Sequence, residues 1–140
     1  MISLFFMFLI LGANSNVFDQ INGHLIINLT TYCYDILLTP DGSYLLCTLT
    51  SSNGIKIYRN NGYSFEAHQD IQLSSRPNQI RLGENDENIY LLCIDGLKRL
   101  EQNSQRLFQL HVLLSFNLYF SDFFITNDER MIGLAKPNRI

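Results

Sequence analysis

Residues 34–58 read YDILLTPDGSYLLCTLTSSNGIKIY, and their reading decides the fold. An apolar run meets Thr39-Pro40-Asp41-Gly42, a second apolar run follows, then Ser51-Ser52-Asn53-Gly54, then a third run. Pro40 presets the φ wanted at the second position of a β-turn, and Gly42 tolerates positive φ. Asp41 and Gly42 are therefore expected to form a tight reversal, with Asn53 and Gly54 as the next hairpin turn. Leu45, Leu46 and Cys47 lie in a nearly continuous apolar stretch, as in a strand covered on both faces. Ile55-Lys56-Ile57-Tyr58 alternates, as in a strand with one exposed face.

The stretch recurs. Residues 35–46 (DILLTPDGSYLL) lie over 122–133 (DFFITNDERMIG) without a gap, at an offset of 87, with Asp128 under Asp41. A middle copy shows Tyr-Leu-Leu-Cys of 44–47 again at 90–93, an offset of 46. Its turn, GENDEN at 83–88, reads as a longer variant of the first. Gly96-Leu97-Lys98-Arg99-Leu100 then follows as Gly54 to Tyr58 does. Two repeats in 87 residues give a period near 43.5, in the range of four-stranded propeller blades. Helical repeats share such periods, but these apolar runs are short and bounded by Asp, Gly, Asn and Ser. Residues 97–114 have partly helical spacing, yet Asn103 and Ser104 interrupt them, which predicts strand, turn, strand.

The expected fold is all-β: about three antiparallel propeller-like blades, an incomplete ring, with copies near 34–60, 77–101 and 121–140. These residues resemble the repeats of β-propellers of the LVIVD and YVTN types. WD repeats are a looser match, because the Gly-His and Trp-Asp signatures are absent and the chain has no Trp. The resemblance covers about 34–134. It implies a binding scaffold on a propeller fold and transfers no catalytic motif.

The chain is expected to be part of a ring, since closed propellers hold four to eight blades. A fragment of a longer parent, assembly with other chains to complete a propeller, and collapse into a small sandwich are the three readings; the first is preferred. The segment GHLIINLT at 23–30 suits an outer strand of a blade completed elsewhere.

Residues 1–15, MISLFFMFLILGANS, are apolar from Ile2 to Leu11 and uncharged, too short to span a bilayer comfortably. They suit a signal peptide cut after Ser15, leaving 16–140 as the repeat region, although the n-region lacks Lys and Arg. A secreted or extracytoplasmic membrane-associated protein follows, with an uncleaved anchor as the alternative. Asn28-Leu29-Thr30 is then a glycosylation sequon.

Hydrophobic residues make up 46% and charged residues 16%, which excludes a disordered chain. A net charge of −3 with scattered Lys and Arg excludes a nucleic-acid footprint and a polybasic membrane patch. Three cysteines leave at least one thiol unpaired, so no disulfide framework is expected; Cys47 and Cys93 read as small buried hydrophobes. His24, His68 and His111 lack ligand spacing for zinc, and residues 84–88 lack the pattern of a calcium loop. No metal or cofactor is expected. Asp41 and Asp128 read as turn formers rather than a carboxylate pair. The sequence carries no nucleophile elbow, phosphate loop or dinucleotide fingerprint. A non-enzymatic scaffold for a protein or glycan partner is the leading expectation, and a piece of a lactonase-like propeller hydrolase is the alternative.

Overall fold

The computed structural model describes residues 18–21, 24–27, 29, 31–49, 51–84, 86 and 88–137, with backbone alone for 18–27. Residues 1–15, expected to be a signal peptide, the sequon residue Asn28 and the last three residues lie outside the described residues.

Among the described residues, twelve strands form four antiparallel sheets. A hairpin of β1 (Phe18–Ile21) and β2 (His24–Ile27) comes first. Then come two four-stranded sheets in chain order: β3 (Cys33–Leu38), β4 (Tyr44–Leu49), β5 (Gly54–Asn60) and β6 (Phe65–Gln72), then β7 (Pro77–Leu82), β8 (Ile89–Cys93), β9 (Gly96–Gln102) and β10 (Phe108–Ser115). A last hairpin pairs β11 (Asp122–Ile125) with β12 (Ile132–Ala135). Each four-stranded sheet is a blade. Their first strands, β3 and β7, are the inner ones, β11 continues the series, and the three are joined by side-chain contacts described below. Residues 97–114 form strand, turn, strand, with the Asn103 carboxamide accepting the Gln105 and Leu107 N–H groups.

Three apolar clusters hold the blades together. Tyr44, Leu46, Ile55 and Ile57 face Ile80, Ile89, Leu91, Cys93, Leu100 and Phe108 across the boundary between the complete blades. Tyr90, Leu92 and Leu97 face Phe123 and Ile125 across the next. The other face of the first blade buries Leu45, Cys47, Tyr58 and Phe65 with Leu29. Alternate residues of β4 thus enter two different cores, which is why its sequence is continuously apolar. Each such buried side chain contributes on the order of 2 kcal/mol. In β5 the face expected to be exposed is covered in part: Tyr58 is 2% exposed, while Lys56 on the same face is half-buried.

The hairpin geometry corrects the repeat register. Thr39, Gly83 and Thr126 each donate their N–H to a carbonyl five residues on, at Tyr44, Asn88 and Met131. The three inner hairpins therefore have the same length, and the middle one is not longer. Leu38 pairs with Leu45, Leu82 with Ile89 and Ile125 with Ile132, so the first two strands of successive blades are offset by 44 and then 43. The recurrence of Tyr-Leu-Leu-Cys at an offset of 46 is a two-residue slip. The slip keeps the same strand face, which is why the motif survives it.

Cys47 is not a free hydrophobe: it is disulfide-bonded to Cys33 on the neighbouring strand. At the true offset the corresponding pair is Pro77 and Leu91, so the second blade has no such bridge. Cys93 is free and buried. Gly54 also departs from expectation. It opens β5 rather than lying in the turn, and a Cβ there would sit 3.2 Å from the Ile71 carbonyl. Its counterpart Gly96 lies still closer under the Leu114 carbonyl. This third-strand position takes glycine because the fourth strand crosses over it.

Candidate functional site at the ends of the inner strands

The inner strands and the loops leading into them carry one group of polar side chains. In β3 the pairing slips between Cys33 and Asp35, leaving Tyr34 as a bulge, and β7 repeats the bulge at Asn78. Thr48 stabilises the first bulge, with its hydroxyl accepting the Asp35 N–H at 2.8 Å and donating to the Asp35 carbonyl at 3.1 Å. A bulge re-aims a side chain. Here it turns Tyr34 outward, 54% exposed, where the Arg76 guanidinium lies 4.8 Å from its ring centroid. Arg76 immediately precedes β7. Its repeat counterparts before β3 and β11 are Tyr32 and Tyr119, both more than half exposed. The open end of the inner strands thus presents three tyrosines and one guanidinium that meets a ring rather than a carboxylate.

Behind Arg76 lies a compact polar cluster. The Lys98 side chain is 2% exposed, and its ammonium donates to both Asp95 carboxylate oxygens, at 2.8 and 3.0 Å, and to the Ser74 hydroxyl at 2.7 Å. Ser74 and Ser75 donate to the same carboxylate. Burial works to raise the Asp95 pKa, but the hydrogen bonds from Lys98, Ser74 and Ser75 overcome it and hold the carboxyl at about 2. All three ammonium protons are engaged and the neighbouring group is anionic, so Lys98 is a buried cation that locks the 73–76 loop. It is not a base for Ser74.

Along the inner strands, one position ties each blade to the next. Asp35 Oδ1 accepts the Ile36 N–H at 3.0 Å and Oδ2 accepts the Ile80 N–H at 3.2 Å. Gln79, the counterpart of Asp35, donates to the Ser121 carbonyl at 2.9 Å. Asp122, next in the series, accepts its following N–H from Phe123 at 2.8 Å as Asp35 does, and pairs with Arg81 at 2.8 Å. With both oxygens holding backbone N–H groups, Asp35 is a structural tie.

At the opposite end, a cleft of about 210 Å³ opens between the inner hairpins, lined by Thr39, Asp41, Tyr44, Asp86, Gln102 and Phe108 among others. Asp41 spends its carboxylate on the Ser43 hydroxyl, the Thr39 hydroxyl and the Ser43 N–H, which lowers its pKa. Asp128 repeats this with Thr126 and the Arg130 N–H. The two carboxylates belong to equivalent turns two blades apart, and each closes its own turn. Gly42, at φ 71°, has non-glycine counterparts in Asp86 and Glu129, both at φ 58°. Asn53 ends the loop before β5, and its carbonyl accepts from the Leu73 N–H. His68 faces the Arg106 carbonyl and the Tyr44 ring, while His111 lies 3.7 Å from Glu101. Among the described residues no group of three or more His, Cys, Asp or Glu could hold a metal. No short motif joins Tyr34, Arg76, Ser74, Ser75, Asp95 and Lys98 in the sequence. The one signal was a lysine inside the apolar strand Gly96-Leu97-Lys98-Arg99-Leu100.

No family model matches the chain, and no curated protein does. Solved structures do. A candidate 6-phosphogluconolactonase from Bacteroides fragilis superposes with a TM-score of 0.55 at 12% identity, covering 73% of this chain and 31% of its own. One from Bacteroides uniformis gives 0.56 at 15%, covering 82% and 38%. The periplasmic gluconolactonase of Pseudomonas aeruginosa gives 0.59 at 12%, covering 81% and 35%. The fold is an incomplete β-propeller. The chain spans about a third of the length of these propeller proteins, and at such identities the likeness concerns architecture alone. The LVIVD and YVTN likeness of the repeats remains a resemblance, with no family behind it.

Proposed function

We propose that the chain belongs to a lactonase-like propeller and binds a sugar-acid lactone, or its aldonate product, at the open end of the inner strands. The observation that carries this reading is the exposed Arg76 guanidinium, stacked on Tyr34 and backed by the locked 73–76 loop. A guanidinium recognises a carboxylate or a polarised carbonyl in bidentate fashion, and tyrosine faces suit the apolar side of a sugar ring. In lactone hydrolysis, water adds to the carbonyl carbon, the ring C–O bond breaks, and the ring oxygen leaves as a hydroxyl. Arg76 would hold the oxygen on which charge develops. Three lactonase-named structures of the same architecture support the reading, against the expectation of a chain without catalytic activity.

The test is acid release from a panel of aldonolactones, together with aldonate titration followed by NMR. Arg76→Ala should lower turnover about 100-fold, as loss of one oxyanion donor does. A well-folded chain showing neither turnover nor aldonate binding would sink the proposal. The second reading, a non-enzymatic scaffold for a protein or glycan, would then stand; the exposed Tyr32, Tyr34, Leu118 and Tyr119 favour it. In both readings the protein works outside the cytoplasm, because the Cys33–Cys47 disulfide suits an oxidising compartment.

A further inference from the structure

We propose that two copies of this chain close into a six-bladed ring, in which β1–β2 of each copy completes the blade opened by β11–β12 of the other. The inference is independent of the lactonase reading and rests on strand phase. Among the described residues the sheets hold two, four, four and two strands. Leu73 follows β6, the outermost strand of its blade, and is buried under the next blade; Phe116 follows β10 and packs, half-buried, against the next blade. Leu29 follows β2 and is buried under the first blade. The spacing from Leu29 to Leu73 and from Leu73 to Phe116 is the 44 and 43 of the inner hairpins. So β1–β2 are in phase with the third and fourth strands of a blade, and β11–β12 with the first and second. The two halves complement each other, and two copies supply six blades, within the range that closes.

The open side of β12 has the features of a strand awaiting its neighbour. In the first blade Tyr44 bonds back to β3 through Thr39, while Ser43, one residue away, bonds to Asn60 of the third strand. The counterpart of Tyr44 is Met131, which bonds back to Thr126. Ile132 and Leu134 therefore direct their backbone N–H and C=O groups to the open edge, as Leu45 and Cys47 do to β5. The face is apolar and uncovered: Phe124 is 49% exposed and Met131 60%. Asp122 is the counterpart of Asp35, whose Oδ2 ties to the following inner strand. The phase also sets the register. Phe18 takes the place of Ile55, which pairs with Thr48, so Phe18 of one copy lies opposite Ala135 of the other.

The experiment is light scattering of the intact chain across a micromolar concentration series, with Phe18→Cys/Ala135→Cys as a cross-linking variant. Directly opposed residues in a non-hydrogen-bonded antiparallel pair lie within disulfide reach. The expected result is twice the chain mass of 16.2 kDa and an intermolecular disulfide in the variant. The control Tyr63→Cys/Ala135→Cys, with its first cysteine at an exposed hairpin tip, should not cross-link. A monomer at every concentration overturns the proposal. So does a cross-link within a single chain, and so does a dimer in which the control links as well as the variant.

Discussion

Asp35 and Ile80 are joined across the boundary between the two complete blades, by a 3.2 Å hydrogen bond from the Ile80 N–H to Asp35 Oδ2. The same side chain holds the Ile36 N–H with its other oxygen. One carboxylate thus satisfies two backbone donors on two blades. Asp35→Ala should cost about 2 kcal/mol in denaturant unfolding, since both donors lose their partner in a half-buried site. Asp35→Asn should cost less, because it keeps one acceptor. Equal losses would mean that the bond across the boundary contributes nothing.

The Asp95–Lys98 pair sets an acid limit to stability. The Asp95 carboxyl is held at about 2, below its ordinary value of 3.8. A lowered native pKa stabilises the fold at pH above the ordinary value, and that stabilisation is lost as pH falls from about 4 towards 2. Asp95→Asn should flatten the stability profile in that window. At pH 7 it should also destabilise by about 3 kcal/mol, the low end for an abandoned buried charge, because Asp95 itself is 37% exposed. Lys98→Met should cost less than Asp95→Asn, since it removes the buried charge along with its partner. The reverse order in urea melts would refute the assignment of Lys98 as a buried structural cation.

The three cysteines should separate in thiol titration. The native chain should show no reactive thiol, one on unfolding without reductant, and three after reduction. Burial is the main reason that Cys93 resists, pushing its thiol up to about 11. Cys33→Ser should lower stability by about 3 kcal/mol, the scale for a loop closed over 14 residues.

Glycine substitutions should rank by cause. Gly96→Ala should be the most damaging, because its Cβ would meet the Leu114 backbone. Gly42→Val should cost about 2 kcal/mol from the left-handed backbone at φ 71°. Ser43→Val should cost less, losing its 2.6 Å bond to Asp41 on an exposed turn. Thermal melts that order Ser43→Val above Gly42→Val would contradict the turn geometry.

The blade pattern could be read before any coordinates because its causes are local. Thr39, Pro40, Asp41 and Gly42 shape their turn by their own dihedrals and side-chain bonds, and Thr126 with Asp128 does so again 87 residues later. The apolar runs of β4 and β8 announce burial on both faces because a strand has only two faces to cover. Other features were invisible for an equally physical reason. Nothing local distinguishes a slip of two residues from the true register, since both put the same side chains on the same face; only the bulges at Tyr34 and Asn78 and the hairpin bonds decide it. Cys33 and Cys47 are brought together by pairing between β3 and β4, and Cys93 is left alone because the other two cysteines are bonded to each other. Arg76 finds Tyr34, and Lys98 finds Ser74, across chain separations that no short motif spans, although Asp95 lies only three residues before Lys98. The sequence by itself determined turns, strands and period, which follow from neighbours in the chain. The tertiary structure decided the disulfide, the buried cation and the inner-strand site, because each depends on which side chains the blades bring face to face.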